Sequence, residues 1–302
     1  RSSLVTGVQT CALPISERGM SLLANTWELD FYSRPLLDEN GKKRWELLVC
    51  TSDGSFQWQR FCPANSVNSI WLKTALNQAL VAAEEASNPP PKRLRCWRSS
   101  MRTMVQRAAE GVGLEMVPSR RCYALVEWLQ EREASVYPEM EGHLNGPLAP
   151  PPQPLQAAAL PLPEAVRGDS WGWASLPAAS LAEASEWSMD FSGLVPLPNT
   201  EPDAMVPGVR LFSSSRALAL AGWLSGLEPV RLEVCGQQLV LEAGLEDRWL
   251  VSDLQASEAE PARQALSAAR QDAGGLQFLA VQSGPDATEF AGFWLLRDLP
   301  DV

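Results

Sequence analysis

Histidine is almost absent from this chain: its 302 residues hold one, His143, in the turn-forming stretch "EGHLNGPLAP". Ser/His/Asp and Cys/His catalysis need a histidine held in a packed site, so neither is expected. Cysteines form no CxxC pair and stand at no zinc-finger spacing. Cys50, Cys62, Cys96, Cys122 and Cys235 therefore read as reduced thiols of a cytoplasmic protein, with no metal and no cofactor expected. Long apolar runs are missing as well. The stretch "ALALAGWL", Ala217 to Leu224, falls far short of the roughly 18 residues that suggest a bilayer span, so no membrane span is expected. Lysine is scarce, and Lys42, Lys43, Lys73 and Lys92 all lie in the first half.

The opening lacks the marks of a protein start. "VTGVQTCALPI", Val5 to Ile15, is too broken by Thr6, Gly7, Gln9 and Thr10 to be a secretory h-region. Read back into codons, it resembles a short-read sequencing adapter. Residues 1–19, with Cys11, are therefore expected to be foreign, and the natural chain to start at Met20.

Charge is uneven. From Met20 to Gly146 there are 15 Lys and Arg against 15 Asp and Glu; from Pro147 to Val302 there are 8 against 20. Any polyanion should meet the first half. The acidic second half either keeps such a polyanion away from itself or presents a face to a protein partner. Between the halves, residues 146–164, "GPLAPPPQPLQAAALPLPE", carry too many prolines for a helix or central strand and read as an extended linker. The division expected is thus 20–145, a linker over 146–164, and 165–302.

In "WELDFYSR" apolar and polar residues alternate as in a half-buried strand. Asn40-Gly41 supplies a turn, "WELLVC" returns, and "SFQWQRFCP" is a third strand. A helix follows with Ser66 as its cap, then "KRLRCWR" (strand), "SSMRTMVQRAAEGVG" (helix), "LEMVPSR" (strand) and "CYALVEWLQERE" (helix). The fold class expected is α/β with mixed sheets in two domains. The first is ribonuclease H-like in the order of its strands and helices; the second is another mixed α/β unit, for which descent as a degenerate copy of the first is one reading. In that second unit "SSRALALAGWLSGLEP" reads as a serine-capped helix, "VRLEVCGQQLVLEAG" as a hairpin, and Trp71, Trp128, Trp223, Trp249 and Trp294 as core across the chain.

Two candidate sites emerge. Asp30 sits where a ribonuclease H-like nuclease places a metal-binding carboxylate, but two-metal hydrolysis needs about three or four converging carboxylates. The first helix has no acid before Glu84, and the fourth strand carries arginines instead. Asp30 and Glu28 could equally pair with Arg34, Lys42 or Arg44 of their own hairpin. The binding candidate is basic: Lys92, Arg93, Arg95, Arg98, Arg102, Arg107, Arg120 and Arg121, with Trp97 as a flat face for a base. Arg34, Lys42, Lys43 and Arg44 of the hairpin form a second basic group.

The spacing of Trp27, Glu28, Asp30, Ser33, Arg34, Pro35, Gly41, Lys42, Trp45 and Glu46 closely resembles the Tab/Atab family of cyanobacterial and plastid RNA-binding proteins. "RRCYALVEWLQERE", "LFSSSRALALAGWLSGLEP", "GLQFLAVQS" and "GFWLLRDL" extend the resemblance from Thr26 to Leu299. It implies binding of single-stranded, A/U-rich leader RNA and support for translation of photosystem reaction-centre messages, without catalysis. The alternatives are a metal-dependent nuclease with Asp30 as its centre, or a scaffold for photosystem assembly that binds protein rather than RNA.

Overall fold

In the computed structural model, residues 25–145, 158–198 and 200–299 are described. The stretch expected to be foreign, residues 1–19, lies outside the described residues, as do residues 146–157 of the expected linker. The chain is α/β with three mixed sheets, as the alternation of strand and helix patterns led one to expect.

The first sheet runs in the order β3-β2-β1-β4-β5, with β1 Thr26–Leu37, β2 Lys43–Thr51, β3 Gln57–Cys62, β4 Arg93–Cys96 and β5 Glu115–Pro118. β1, β2 and β3 pair antiparallel; β4 and β5 run parallel to β1. Successive strand residues point to opposite faces, so Trp27, Leu29, Phe31, Leu47 and Val49 share one face. There they pack against Leu72, Ala75 and Leu76 of α1 (Ser69–Glu85) and Val105 and Ala108 of α2 (Arg102–Glu110). The other face carries Leu48 and Cys50 and is covered by Leu125, Val126 and Leu129 of α3 (Tyr123–Glu131). β1 is therefore buried on both faces. Its Glu28 and Asp30, read from alternation as the solvent side, lie inside.

Helix α1 starts later than expected. Asn68, not Ser66, is its cap, accepting from the backbone N–H of Ile70 at 3.0 Å and of Trp71 at 2.9 Å.

The second half contributes strands β6 Leu160–Pro161, β7 Ser170–Pro177, β8 Met189–Gly193, β9 Met205–Phe212, β10 Pro229–Cys235, β11 Gln238–Ala243, β12 Asp247–Asp253, β13 Leu276–Gln282 and β14 Phe290–Arg297. Three helices join them: α4 Ala178–Ala182, α5 Ala217–Leu227 and α6 Ala256–Asp272. Two sheets result, β7-β9-β13-β14-β8 and β10-β11-β12-β6. Neither repeats the strand order of the first half, so the idea of a related copy finds no counterpart in topology. Leu220 and Leu224 of α5 and Leu266 of α6 share a core with Val209 and Leu279 of one sheet and Leu232 and Leu241 of the other. Gly208 matters here: a Cβ on it would lie 2.5 Å from the ring of Phe278, its partner in the parallel β9/β13 pair. Helix α5 is not serine-capped; Arg216 stands at its N-cap without a side-chain bond, and it ends at Leu227 where Glu228 turns left-handed at φ 57°.

The described end of the proline segment does not hang free. Leu160 and Pro161 pair with β12, and Leu162 is buried. The halves also meet directly. The Tyr123 hydroxyl accepts from the backbone N–H of Arg297 at 3.3 Å, and Tyr123 packs among Val206, Phe278 and Phe293. The N–H of Arg120 donates to the Gly244 carbonyl at 3.1 Å, and Arg297 pairs with Glu127 at 2.5 Å.

Candidate nucleic-acid interface

Three cations of the basic cluster expected to meet RNA, Arg95, Arg98 and Arg121, lie inside the molecule together with its ring, Trp97. Arg98 is 1% exposed, Trp97 3% and Arg95 9%. The Trp97 indole N–H donates to Asp30 Oδ1 at 2.8 Å, and Arg98 Nε reaches the same oxygen at 2.5 Å. Arg95 pairs with Glu228 at 2.8 Å, and buried Arg121 donates to the carbonyls of Pro229 at 2.5 Å and Gly193 at 2.8 Å. Arg120 is half-buried against Glu242 at 3.0 Å, and Arg93 half-exposed with Glu228 at 3.1 Å. Arg34 is buried between Asp30 at 2.7 Å and Glu46 at 2.9 Å. Arg34, Arg95, Trp97, Arg98 and Arg121, expected from sequence to touch RNA, are thus buried, with their polar groups engaged inside the protein. A guanidinium buried in an ion pair has no surface to give a phosphate, and the charge excess that marked these residues is met by carboxylates distant in sequence. Lys92, Arg102 and Arg107 of the cluster, and Lys42 and Lys43 of the hairpin, are exposed.

The same pairing bears on Asp30. Burial works to raise its pKa, yet Arg34 and Arg98 outweigh burial and hold the carboxyl below its ordinary range. Glu46 beside it is taken by Arg34, by Arg132 at 2.6 Å and by the Tyr137 hydroxyl at 2.6 Å. Guanidiniums thus stand where hydrolytic metal ions would need to approach. Among the described residues no three His, Cys, Asp or Glu side chains group so as to hold a metal ion. Glu28 accepts from the N–H of Leu125 at 2.9 Å at the start of α3; burial raises its pKa to about 7, against the pull of Arg95.

What remains outside is a second combination of cations and rings. β3 ends the first sheet, and among the described residues no strand pairs with its outer backbone edge. The β2/β3 register sets Trp45, Trp58 and Arg60 on the α1 side and Phe61 on the other. Arg60 is exposed, donates to Gln78 and lies 5.8 Å from the centre of the half-buried Trp71 ring. Trp71 stacks on Phe31 at 5.6 Å, which fixes its plane. Across the strand, the Arg44 guanidinium sits 4.0 Å over the half-buried Phe61 ring. Lys42 and Lys43 follow at the turn, which Asp38 holds by accepting from the N–H groups of Asn40 and Lys42, both at 2.9 Å. Arg60, Trp58, Phe61 and Trp71 were not singled out from sequence as contacts. The available signal was the alternation of "QWQRFC", which sets a ring and a cation on one face of an edge strand.

Among the described residues no helix is long and apolar enough to cross a membrane. Comparison with known proteins gives two family matches that together span most of the chain. Residues 26–132 match "RNA-binding protein Tab2/Atab2 N terminal", and residues 149–297 match "RNA-binding protein Tab2/Atab2, C-terminal domain". Among curated relatives, "Protein TAB2 homolog, chloroplastic" of Zea mays is 39% identical over 288 residues, covering 91% of this chain and 72% of its own length. The Arabidopsis thaliana protein of the same name is 34% identical over 296 residues, covering 91% and 75%.

Proposed function

The chain belongs to the Tab2/Atab2 RNA-binding protein family, and from that premise we propose that it binds single-stranded RNA along the open edge of β3. One observation carries the placement. The outward rim of β2 and β3, with the adjoining first turn of α1, combines exposed Arg60, Lys42 and Lys43 with half-exposed Trp58, Phe61 and Trp71, whereas Arg95, Trp97, Arg98 and Arg121 at the centre of the other cluster are buried. Single-stranded RNA needs cations along its phosphates and flat faces for its bases, and this rim offers both. Exposed Lys92, Arg102 and Arg107 remain further contacts of the proposal.

The finer reading follows the family resemblance. The RNA is an A/U-rich leader, and binding supports translation of photosystem reaction-centre messages from a soluble, cytoplasmic pool. Unpaired Cys50, Cys62, Cys96, Cys122 and Cys235 suit a reducing compartment. The order of the first sheet and its helices supports a ribonuclease H-like frame used for binding; the engagement of Asp30 and Glu46 by arginines speaks against the nuclease alternative.

Titration of a labelled A/U-rich single strand tests this reading. Affinity should fall with salt by about 0.7 log unit of K per log unit of salt for each phosphate neutralised. The strand should stay uncut with Mg²⁺ or Mn²⁺ present. An absence of RNA retention at low salt would favour the protein-binding scaffold, and cleavage lost in Asp30→Asn would favour the nuclease.

A further inference from the structure

Where the two halves meet, a cavity of about 90 Å³ is lined by Arg93, Arg95, Arg121, Glu228, Ser192 and Ser225. A water needs only roughly 10–15 Å³ of such space, so the cavity has room for a polyatomic ion. Its walls come from β4 and the turn before α3 in the first half, and from β8, α5 and the left-handed Glu228 in the second. Gly193 is fixed there by close packing, since a Cβ on it would lie 2.3 Å from Trp294, and its carbonyl holds Arg121.

The charges in this cavity do not balance. Among the described lining residues three guanidiniums face one carboxylate, Glu228, which lies 3.1 Å from Arg93, 2.8 Å from Arg95 and 3.9 Å from Arg121. Burial works to raise the Glu228 pKa, yet Arg95 and Arg121 hold it at about 2, as an excess of positive potential should. Burial and the like charge of Arg95 push the Arg121 pKa down. Behind them Glu28 is a weak counter-charge, because burial lifts its own pKa to about 7. Exposed Glu115 reaches only Arg93, at 3.9 Å. Buried charge without a counter-charge is costly, and the hydroxyls of Ser192 and Ser225 add donors that suit an oxyanion.

The geometry points to an anion site between the two halves, with a phosphate group as its ligand, entering past the half-exposed Arg93. It is separate from the β3 edge proposed for the RNA chain. A phosphate here ties Arg93 and Arg95 of the first half to Ser192 and Ser225 of the second, so its binding should stiffen the junction. The phosphate comes from one of two sources, the 5′ end of an RNA or a free phosphate compound.

Calorimetric titration of the full chain with inorganic phosphate, at constant ionic strength in chloride buffer, tests the site. Binding should be saturable, raise the melting temperature, and weaken by about tenfold or more in Arg93→Ala, which removes one charged hydrogen bond. Ser225→Glu, which places a carboxylate in the cavity, should weaken it at least as much. Both positions are only partly buried, so folded variants are expected, and circular dichroism checks them. Matched A/U-rich strands with a 5′-phosphate or a 5′-hydroxyl separate the sources. Tighter binding of the phosphorylated strand, lost in Arg93→Ala, assigns the RNA end; equal binding alongside saturable inorganic phosphate assigns the free compound. If the parent shows no saturable phosphate binding, or both variants bind phosphate as the parent does, the site is overturned. Retention of RNA by the parent in that case leaves the β3-edge reading standing.

Discussion

Replacing Arg98 by Ala separates a structural role from a binding role. Its side chain is 2% exposed, its Nε lies 2.5 Å from an Asp30 carboxylate that is wholly buried, and its guanidinium stacks 4.1 Å over the Tyr32 ring. Removing one partner of a buried ion pair costs about 3–5 kcal/mol, since the remaining charge stays in a low dielectric. Asp30 would keep Arg34 at 2.7 Å and the Trp97 indole at 2.8 Å, which places Arg98→Ala at the lower end, about 3 kcal/mol. For a chain of this size that corresponds to a fall in melting temperature of roughly 6–12 °C. Urea denaturation and differential scanning calorimetry read the loss. RNA affinity and its salt slope, measured at a temperature where the variant is folded, should match the parent. A variant of parental stability whose salt slope drops by about 0.7 would refute the burial argument and return Arg98 to the phosphate-binding surface.

The Glu28 carboxyl has its pKa raised from the ordinary 4.5 to about 7 in the folded state. The protein should then lose stability as pH rises from about 4.5 through 7, by up to about 3 kcal/mol from this group. Glu28→Gln, which keeps an acceptor for the Leu125 N–H, should abolish that slope; an unchanged pH profile in urea melts would contradict it. In the second half, Gly208→Ala should cost about 1–3 kcal/mol, because the added methyl meets the Phe278 ring at 2.5 Å; a neutral result would mean that the β9/β13 pair yields freely.

The sequence made the elements legible but not the use of its charges. Period-two alternation located the opening hairpin and β3, and proline and glycine breaks separated the helices, because those signals are local. The burial of β1 on both faces was hidden, since "WELDFY" alternates like a strand with one wet side. Its polar side is roofed by α3, some hundred residues later, and sealed by Arg34 and Arg98. Arg95 likewise finds Glu228 at 133 positions' remove. Arg95, Arg98 and Arg121, read as part of a solvent face, are therefore one half of an internal pairing, while Lys92, Arg102 and Arg107 stay outside. The β3 edge was overlooked for the opposite reason: its cations are few and spread over two strands, and become one rim only when Cys62 is registered opposite Trp45.

The most direct test of the account is photocrosslinking of a 4-thiouridine-containing A/U-rich strand to the full chain, with the attached peptides identified by mass spectrometry. Adducts should fall on Trp58, Phe61 or Trp71 and on the Lys42 to Arg44 turn, and disappear at high salt. Adducts concentrated on Trp97 or on residues 95–98, in a protein verified as folded, would contradict it.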